Sequence, residues 1–151
     1  MTAARISHGT WILVSDGRKA LFIHQDGDHD LPNFSIQQVL EDDENPRTSE
    51  QGSDSPGTSH SSVGHGRSSV AQTDWHDLAE KAFARKTVDT LARLAKDIAV
   101  DRLVIVAPPR TLAVLRASMP PELQKAVLAE IAKDYVKHPV PEIERLLTRE
   151  G

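Results

Sequence analysis

The chain has 151 residues and carries 22 acidic against 18 basic side chains, which gives a formal net charge of −4. This balance argues against broad, nonspecific binding to nucleic acid, although it leaves room for a local basic patch. The absence of cysteine excludes disulfides, thiolate zinc sites and a cysteine nucleophile, and it suits a reducing compartment.

The length fits a single domain, which we place at residues 1–151. The first residues, Met1–Val14, contain only a short apolar run that polar residues interrupt, so they lack the pattern of a signal peptide. No later segment is apolar for long enough to cross a bilayer. We therefore predict a cytoplasmic protein without membrane contact.

Two apolar runs near the start, Thr10–Ser15 and Arg18–His24, flank Asp16 and Gly17. An Asp-Gly pair between such runs predicts a β-hairpin closed by a type I′ turn. The facing pairs that this turn predicts are Leu13 with Ala20, Trp11 with Phe22, and Ile12 with Leu21. The alternating stretch Phe34–Leu40 predicts a third strand at an edge of the sheet.

The segment Glu41–Thr73 differs from the rest of the chain in composition. It opens with four acidic residues and continues with Ser, Gly, His and Pro, and its apolar residues are few, chiefly Val63 and Val70. A segment with so little apolar surface cannot offset the entropy lost on ordering. We predict that this insertion, residues 41–73, is mobile in the free protein.

A long helix is predicted to follow, with Asp74 or Asp77 as its N-cap. Its main apolar face is expected to pack on the sheet. The members of that face are Phe83, Thr87, Leu91, Leu94, Ala95 and Ile98. A second apolar stripe is rotated by roughly a third of a turn from that face. Its members are Trp75, Leu78, Ala79 and Ala82. We expect this stripe to cover either the chain's own insertion or the surface of a partner, with Trp75 largely buried.

The unbroken apolar run Leu103–Ala107 predicts that the strand Arg102–Ala107 is covered on both faces, and a helix follows from Pro109. The segment Ala126–Val136 is ambiguous, since its apolar residues fit a helix or a strand, although propensity favours a helix. The last residues, from Ile143, predict a short terminal helix.

Candidate binding residues lie in the insertion and at the end of the central strand. Two glycines flank a histidine and an arginine follows in Gly64, His65, Gly66 and Arg67, which can form a small anion-binding nest. We predict that Arg67 and Arg110 together receive a phosphate or carboxylate of a partner.

Neither a metal site nor a cofactor site is predicted. His60 and His65 are the nearest approach to a zinc site, but a Ser/Gly loop supplies no rigid shell of three or four ligands. Asp16 is interpreted as a turn former, and no catalytic residue is assigned.

The order and spacing of several stretches resemble those of the bacterial host attachment proteins, a family named for a requirement in attachment to host cells. The stretches that carry the resemblance are Trp11–Ala20, Gly66–Ser69, Phe83–Arg85, Asp101–Arg110, Ala132–Tyr135 and His138–Val140. That family is similar to the central domain of archaeo-eukaryotic release factors. The Gly-Gly-Gln motif by which release factors trigger peptide release lies in another domain and is absent here.

The resemblance implies an α/β fold with a ribonuclease-H-like mixed sheet of about five strands and helices packed on it. An N-terminal hairpin and meander would be followed by a helix, a strand and a helix. It also implies that Val127–Asp134 is a strand. We predict a non-catalytic binding module whose partner is the ribosome, RNA or a protein. The alternative is a small metal-dependent hydrolase or nuclease that uses Asp16.

Overall fold

The computed structural model describes residues 5–42 and 65–149, and the side chains of 65–74, 76 and 149 are not described. Within that part the chain forms five strands and four helices. The strands are β1 (Trp11–Ser15), β2 (Lys19–Gln25), β3 (Phe34–Glu41), β4 (Leu103–Val106) and β5 (Val127–Ile131). The helices are α1 (His65–Asp97), α2 (Pro109–Ser118), α3 (Pro121–Ala126) and α4 (Val140–Arg149).

The five strands form one mixed sheet in the order β3-β2-β1-β4-β5. The antiparallel meander β1–β2–β3 supplies one half, and β4 and β5 add in parallel on the other side of β1. This is the ribonuclease-H-like α/β arrangement that the family resemblance implied. The prediction that β4 is an interior strand and β3 an edge strand is also confirmed.

The turn of the first hairpin differs from the prediction. Leu13 pairs with Phe22 and Ser15 with Ala20, so the register is displaced by two residues from the expected one. Among the described residues only Gly9 has a positive φ, which excludes a type I′ turn at Asp16-Gly17. Strand side chains alternate with a period of two, so a displacement of two residues leaves every side chain on its predicted face.

Both faces of the sheet are covered. On one face α1 and α2 pack over a core that contains Trp11, Leu13, Phe22, Phe83, Leu91, Leu103, Ile105 and Leu115. On the other face α4 and the segment before it cover a second core. That core contains Ile6, Ile12, Val14, Ile23, Val104, Val106, Val136, Ile143 and Leu147. Strands buried on both sides explain why β1 and β4 are continuous apolar runs.

The long helix begins earlier than predicted, at His65 rather than at Asp74 or Asp77. Extending an existing helix costs far less free energy than nucleating a new one. The turns that pack on the sheet therefore allow the residues before Asp74 to join the same helix. Phe83, Thr87 and Leu91 are buried as predicted, but Ile98 is 44% exposed because the helix ends before it. The mobility of residues 41–73 stays a prediction, and residues 43–64 lie outside the described part.

The ambiguous C-terminal segment is a strand. Helix α3 ends at Ala126, and β5 then pairs in parallel with β4. Along β5 half-buried Val127, Ala129 and Ile131 alternate with exposed Leu128 and Glu130, so the period of two prevails over helical propensity. Among the helices that the structure describes, none combines the length and apolar character needed to cross a membrane.

Candidate binding surface on the long helix

The carboxyl ends of β1 and β4 are the usual place for a ligand in an open α/β sheet. Asp16 lies there, and its Oδ1 atom accepts hydrogen bonds from the backbone N–H groups of Arg18 and Lys19, both at 2.8 Å. The hydroxyl of Ser15 donates to the Lys19 carbonyl oxygen at 3.1 Å. The Asp16 carboxylate therefore closes the hairpin turn, which agrees with its interpretation as a turn former.

Arg110 also lies at this edge, in the first turn of α2, as predicted. Its Nη2 atom forms an ion pair with Asp77, and its Nε atom lies 3.1 Å from a carboxylate oxygen of Glu80. Glu80 in turn lies over the hairpin, since a Cβ added at Gly17 would be 3.2 Å from its Cγ atom. These contacts tie the hairpin, α1 and α2 together.

The predicted anion site is only partly within the described residues. Arg110 is 64% exposed at its side chain, but two carboxylates already balance its charge. Gly64 and the side chains of His65 and Arg67 lie outside the description. The pairing of Arg67 with Arg110 therefore stays a prediction. Asp77 and Glu80 as partners of Arg110 were not predicted, because no sequence pattern reports contacts between side chains thirty residues apart.

The cavity between the hairpin tip and the two helices is small. Ser15, Gly17, Glu80 and Thr111 contribute to its lining, and its accessible volume is about 10 Å³. That is room for about one water molecule. Within the described part of the chain, no group of three or more His, Asp and Glu side chains is placed to hold a metal ion.

A larger concavity lies on the outward face of α1, where the displaced apolar stripe was predicted. Its accessible volume is about 220 Å³. The residues that line this groove are Asp42, Trp75, Leu78, Ala79, Ala82, Phe83 and Lys86. Trp75 is 55% and Leu78 is 62% exposed, so the expectation that Trp75 is largely buried is wrong. The rotation of the stripe turns these side chains away from the sheet, and no described residue covers them.

Basic side chains flank this groove. Lys81 and Arg85 are exposed on the side of Leu78, and Lys86 is exposed at the end of the stripe, one turn beyond Ala82. None of these three cations forms an ion pair with another described residue. The nearby acids Asp77 and Glu80 are engaged by Arg110. The groove therefore has an apolar floor, cations along one side and at one end, and Asp42 in its lining.

Comparison with known proteins places this fold among the release-factor relatives. The chain is 35% identical over 75 residues to the uncharacterized protein RP470 of Rickettsia prowazekii (strain Madrid E). The aligned part covers 48% of this chain and 50% of that protein, so the match spans about half of the relative's length.

The sequence model of bacterial archaeo-eukaryotic release factor family 12 matches residues 9–147, which include all five strands and all but the last residues of α4. The release-factor part of the predicted resemblance is thereby confirmed, whereas the host attachment name stays a prediction. The chain belongs to bacterial archaeo-eukaryotic release factor family 12.

Proposed function

We propose that this protein is a non-catalytic binding module that associates with the ribosome through the outward face of α1. The observation that carries the proposal is the exposure of Trp75 and Leu78 beside a groove of about 220 Å³. Exposed apolar surface with a polar rim marks interaction sites in soluble proteins. The release-factor relationship supports the translation machinery as the place of that interaction.

The groups at the carboxyl ends of the strands favour a binding function over a catalytic one. Substrate pockets for small molecules generally enclose about 300–1,000 Å³. The cavity beside Asp16 offers about 10 Å³. Asp16 closes the turn, and Asp77 and Glu80 hold Arg110, so the charged groups of this edge are engaged with one another. On this proposal the protein acts in the cytoplasm, and a host attachment phenotype follows indirectly from its effect on translation.

Co-sedimentation with purified ribosomes through a sucrose cushion tests the proposal. We expect the unchanged protein to sediment with ribosomes. The double variant Trp75→Ala/Leu78→Ser should bind ribosomes at least tenfold more weakly. The matched control is Leu31→Ser, because Leu31 is 77% exposed but lies in the β2–β3 loop. Failure of the unchanged protein to sediment, or an equal loss for Leu31→Ser, would overturn the proposal.

A further inference from the structure

The outward groove of α1 has the dimensions and spacing of a helix-docking surface. The stripe advances by three, one and three residues from Trp75 through Leu78 and Ala79 to Ala82, which keeps all four side chains on one face. From Trp75 to Lys86 the helix rises about 16 Å, or three turns. Two alanines form the floor between Trp75 and Leu78, so larger side chains of a second helix can enter there.

The charges beside the groove point to the character of that helix. Lys81 and Arg85 lie along one side and Lys86 lies at the end of the groove, one turn beyond Ala82, and none is paired with a described carboxylate. Asp42 is the acidic residue that lines the groove. A docked helix therefore meets cations along one flank of its apolar face and at one end of the groove. Acidic residues beside that apolar face would complement these cations and fix the orientation of docking.

We infer that this groove binds an acidic amphipathic helix of a partner protein, an inference that rests on the proposed function and names its partner class. RNA fits the surface less well. Single-stranded RNA is held by several aromatic platforms together with cations. Among the described aromatic residues, Trp75 is the one with an exposed ring, since Trp11, Phe22, Phe34 and Phe83 are buried and Tyr135 is half-buried.

The indole of Trp75 supplies a direct readout. The chain has two tryptophans, and Trp11 is 1% exposed, so changes in emission on binding report Trp75. The probe is an 18-residue peptide with leucines on one helical face and glutamates beside them. The matched control peptide has the same composition in an order that gives no apolar face. We expect the amphipathic peptide to shift the emission to shorter wavelength with a dissociation constant in the micromolar range, and the control peptide to have no effect.

Two variants test the charge and the position of the site. Lys81→Glu/Lys86→Glu should weaken peptide binding at least tenfold, whereas Lys133→Glu/Lys137→Glu, with the same change of charge, should leave it unchanged. Lys133 and Lys137 are exposed in the segment after β5, which lies beside the second core. Trp75→Phe should abolish the emission change, and circular dichroism verifies that each variant is folded.

Three results would overturn the inference. They are equal binding of the two peptides, an emission response to poly(U) without one to the amphipathic peptide, and a free protein whose Trp75 already emits at short wavelength and responds to nothing. In the last case residues 43–64 or a second copy cover the groove, and sedimentation equilibrium separates these two. If peptide binding fails but ribosome co-sedimentation survives, the proposed function stands without this partner class. If both fail, both are wrong.

Discussion

Glu144 in α4 accepts a hydrogen bond from the backbone N–H of Phe34, the first residue of β3, at 2.9 Å across 110 positions of sequence. Phe34 is 6% exposed and Glu144 is half-buried, so the hydrogen bond lies in a partly buried site. The contact ties the C-terminal helix to the edge strand of the meander.

Glu144→Ala should lower the free energy of unfolding by about 1–3 kcal/mol, because a partly buried N–H group loses its charged acceptor. Glu144→Gln retains an oxygen at the same distance along the side chain and should recover most of the loss. Urea denaturation followed by circular dichroism measures both. Equal stability of the alanine variant and the unchanged protein would show that the contact contributes nothing.

Gly27 should not tolerate a side chain. The buried Gln25 amide organises the loop around it, since its oxygen accepts from the N–H groups of Gly27 at 3.1 Å and Asn33 at 2.8 Å. A Cβ at Gly27 would overlap the Leu31 carbonyl oxygen and lie 2.9 Å from the Asn33 nitrogen. Both obstacles are backbone atoms, so the loop itself would have to shift.

We therefore expect Gly27→Ala to cost about 1–3 kcal/mol, the range for an overpacked site, and to lower the melting temperature. Gly17→Ala is the matched comparison, because its Cβ would meet the side chain of Glu80, which can move aside. A smaller loss for Gly27→Ala than for Gly17→Ala would contradict this account.

Val104 tests the interior position of β4. It is 0% exposed and lies between Ile12 of β1 and Ala129 of β5. Val104→Asp would bury a charge without a partner and should cost several kcal/mol, enough to unfold a domain of ordinary stability. Leu128→Asp on the edge strand, where Leu128 is 47% exposed, should leave the protein folded. A soluble Val104→Asp protein with an unchanged melting temperature would be inconsistent with this topology.

Asp26 should make the free energy of unfolding depend on pH. Hydrogen bonds from His24, at 2.7 Å, and then from Ser35 hold the pKa of the Asp26 carboxyl below its usual value. A carboxyl group whose pKa is lower in the folded than in the unfolded protein stabilises the fold at any pH above its pKa in the unfolded protein, which is about 3.9. This contribution to stability disappears as the pH falls through the pKa of the group in the folded protein.

Asp26→Asn should therefore be less stable than the unchanged protein at pH 5, and the difference should shrink as the pH falls below the usual pKa of an aspartate. Because Asp26 is exposed, we expect less than about 1 kcal/mol. Thermal unfolding across this range measures the difference, with Asp134→Asn, an exposed change in the loop after β5, as the control. A difference that grows toward low pH would reverse the sign of the argument.

The alternation of the hairpin residues was enough to predict which side chains enter which core. Successive residues of a strand point to opposite faces of the sheet, so the face depends only on whether the position along the strand is odd or even. It was not enough to predict the turn, since the choice of turn depends on the Asp16 side chain capping two N–H groups. The strand at β5 was predicted through the family resemblance, while its own residues also fit a helix.

The candidate surface was predicted in part. Helical spacing located the apolar stripe, because the rotation between two faces is a property of the sequence alone. Its exposure could not be predicted, since that depends on what packs over Trp75. The ion pairs of Arg110 with Asp77 and Glu80 depend on the distance between two helices, which only the fold determines.

The placement of α4 also bears on how the protein is made. The side chains that cover the second face of the sheet, Val136, Ile143 and Leu147, leave the ribosome after the strands that they cover. Until they emerge, the meander and β4 present Ile12, Val14, Ile23, Val104 and Val106 without a cover. A nascent or truncated chain that stops before α4 is thus exposed to aggregation through this uncovered sheet face, and the packing of α4 onto that face is the step that ends this risk.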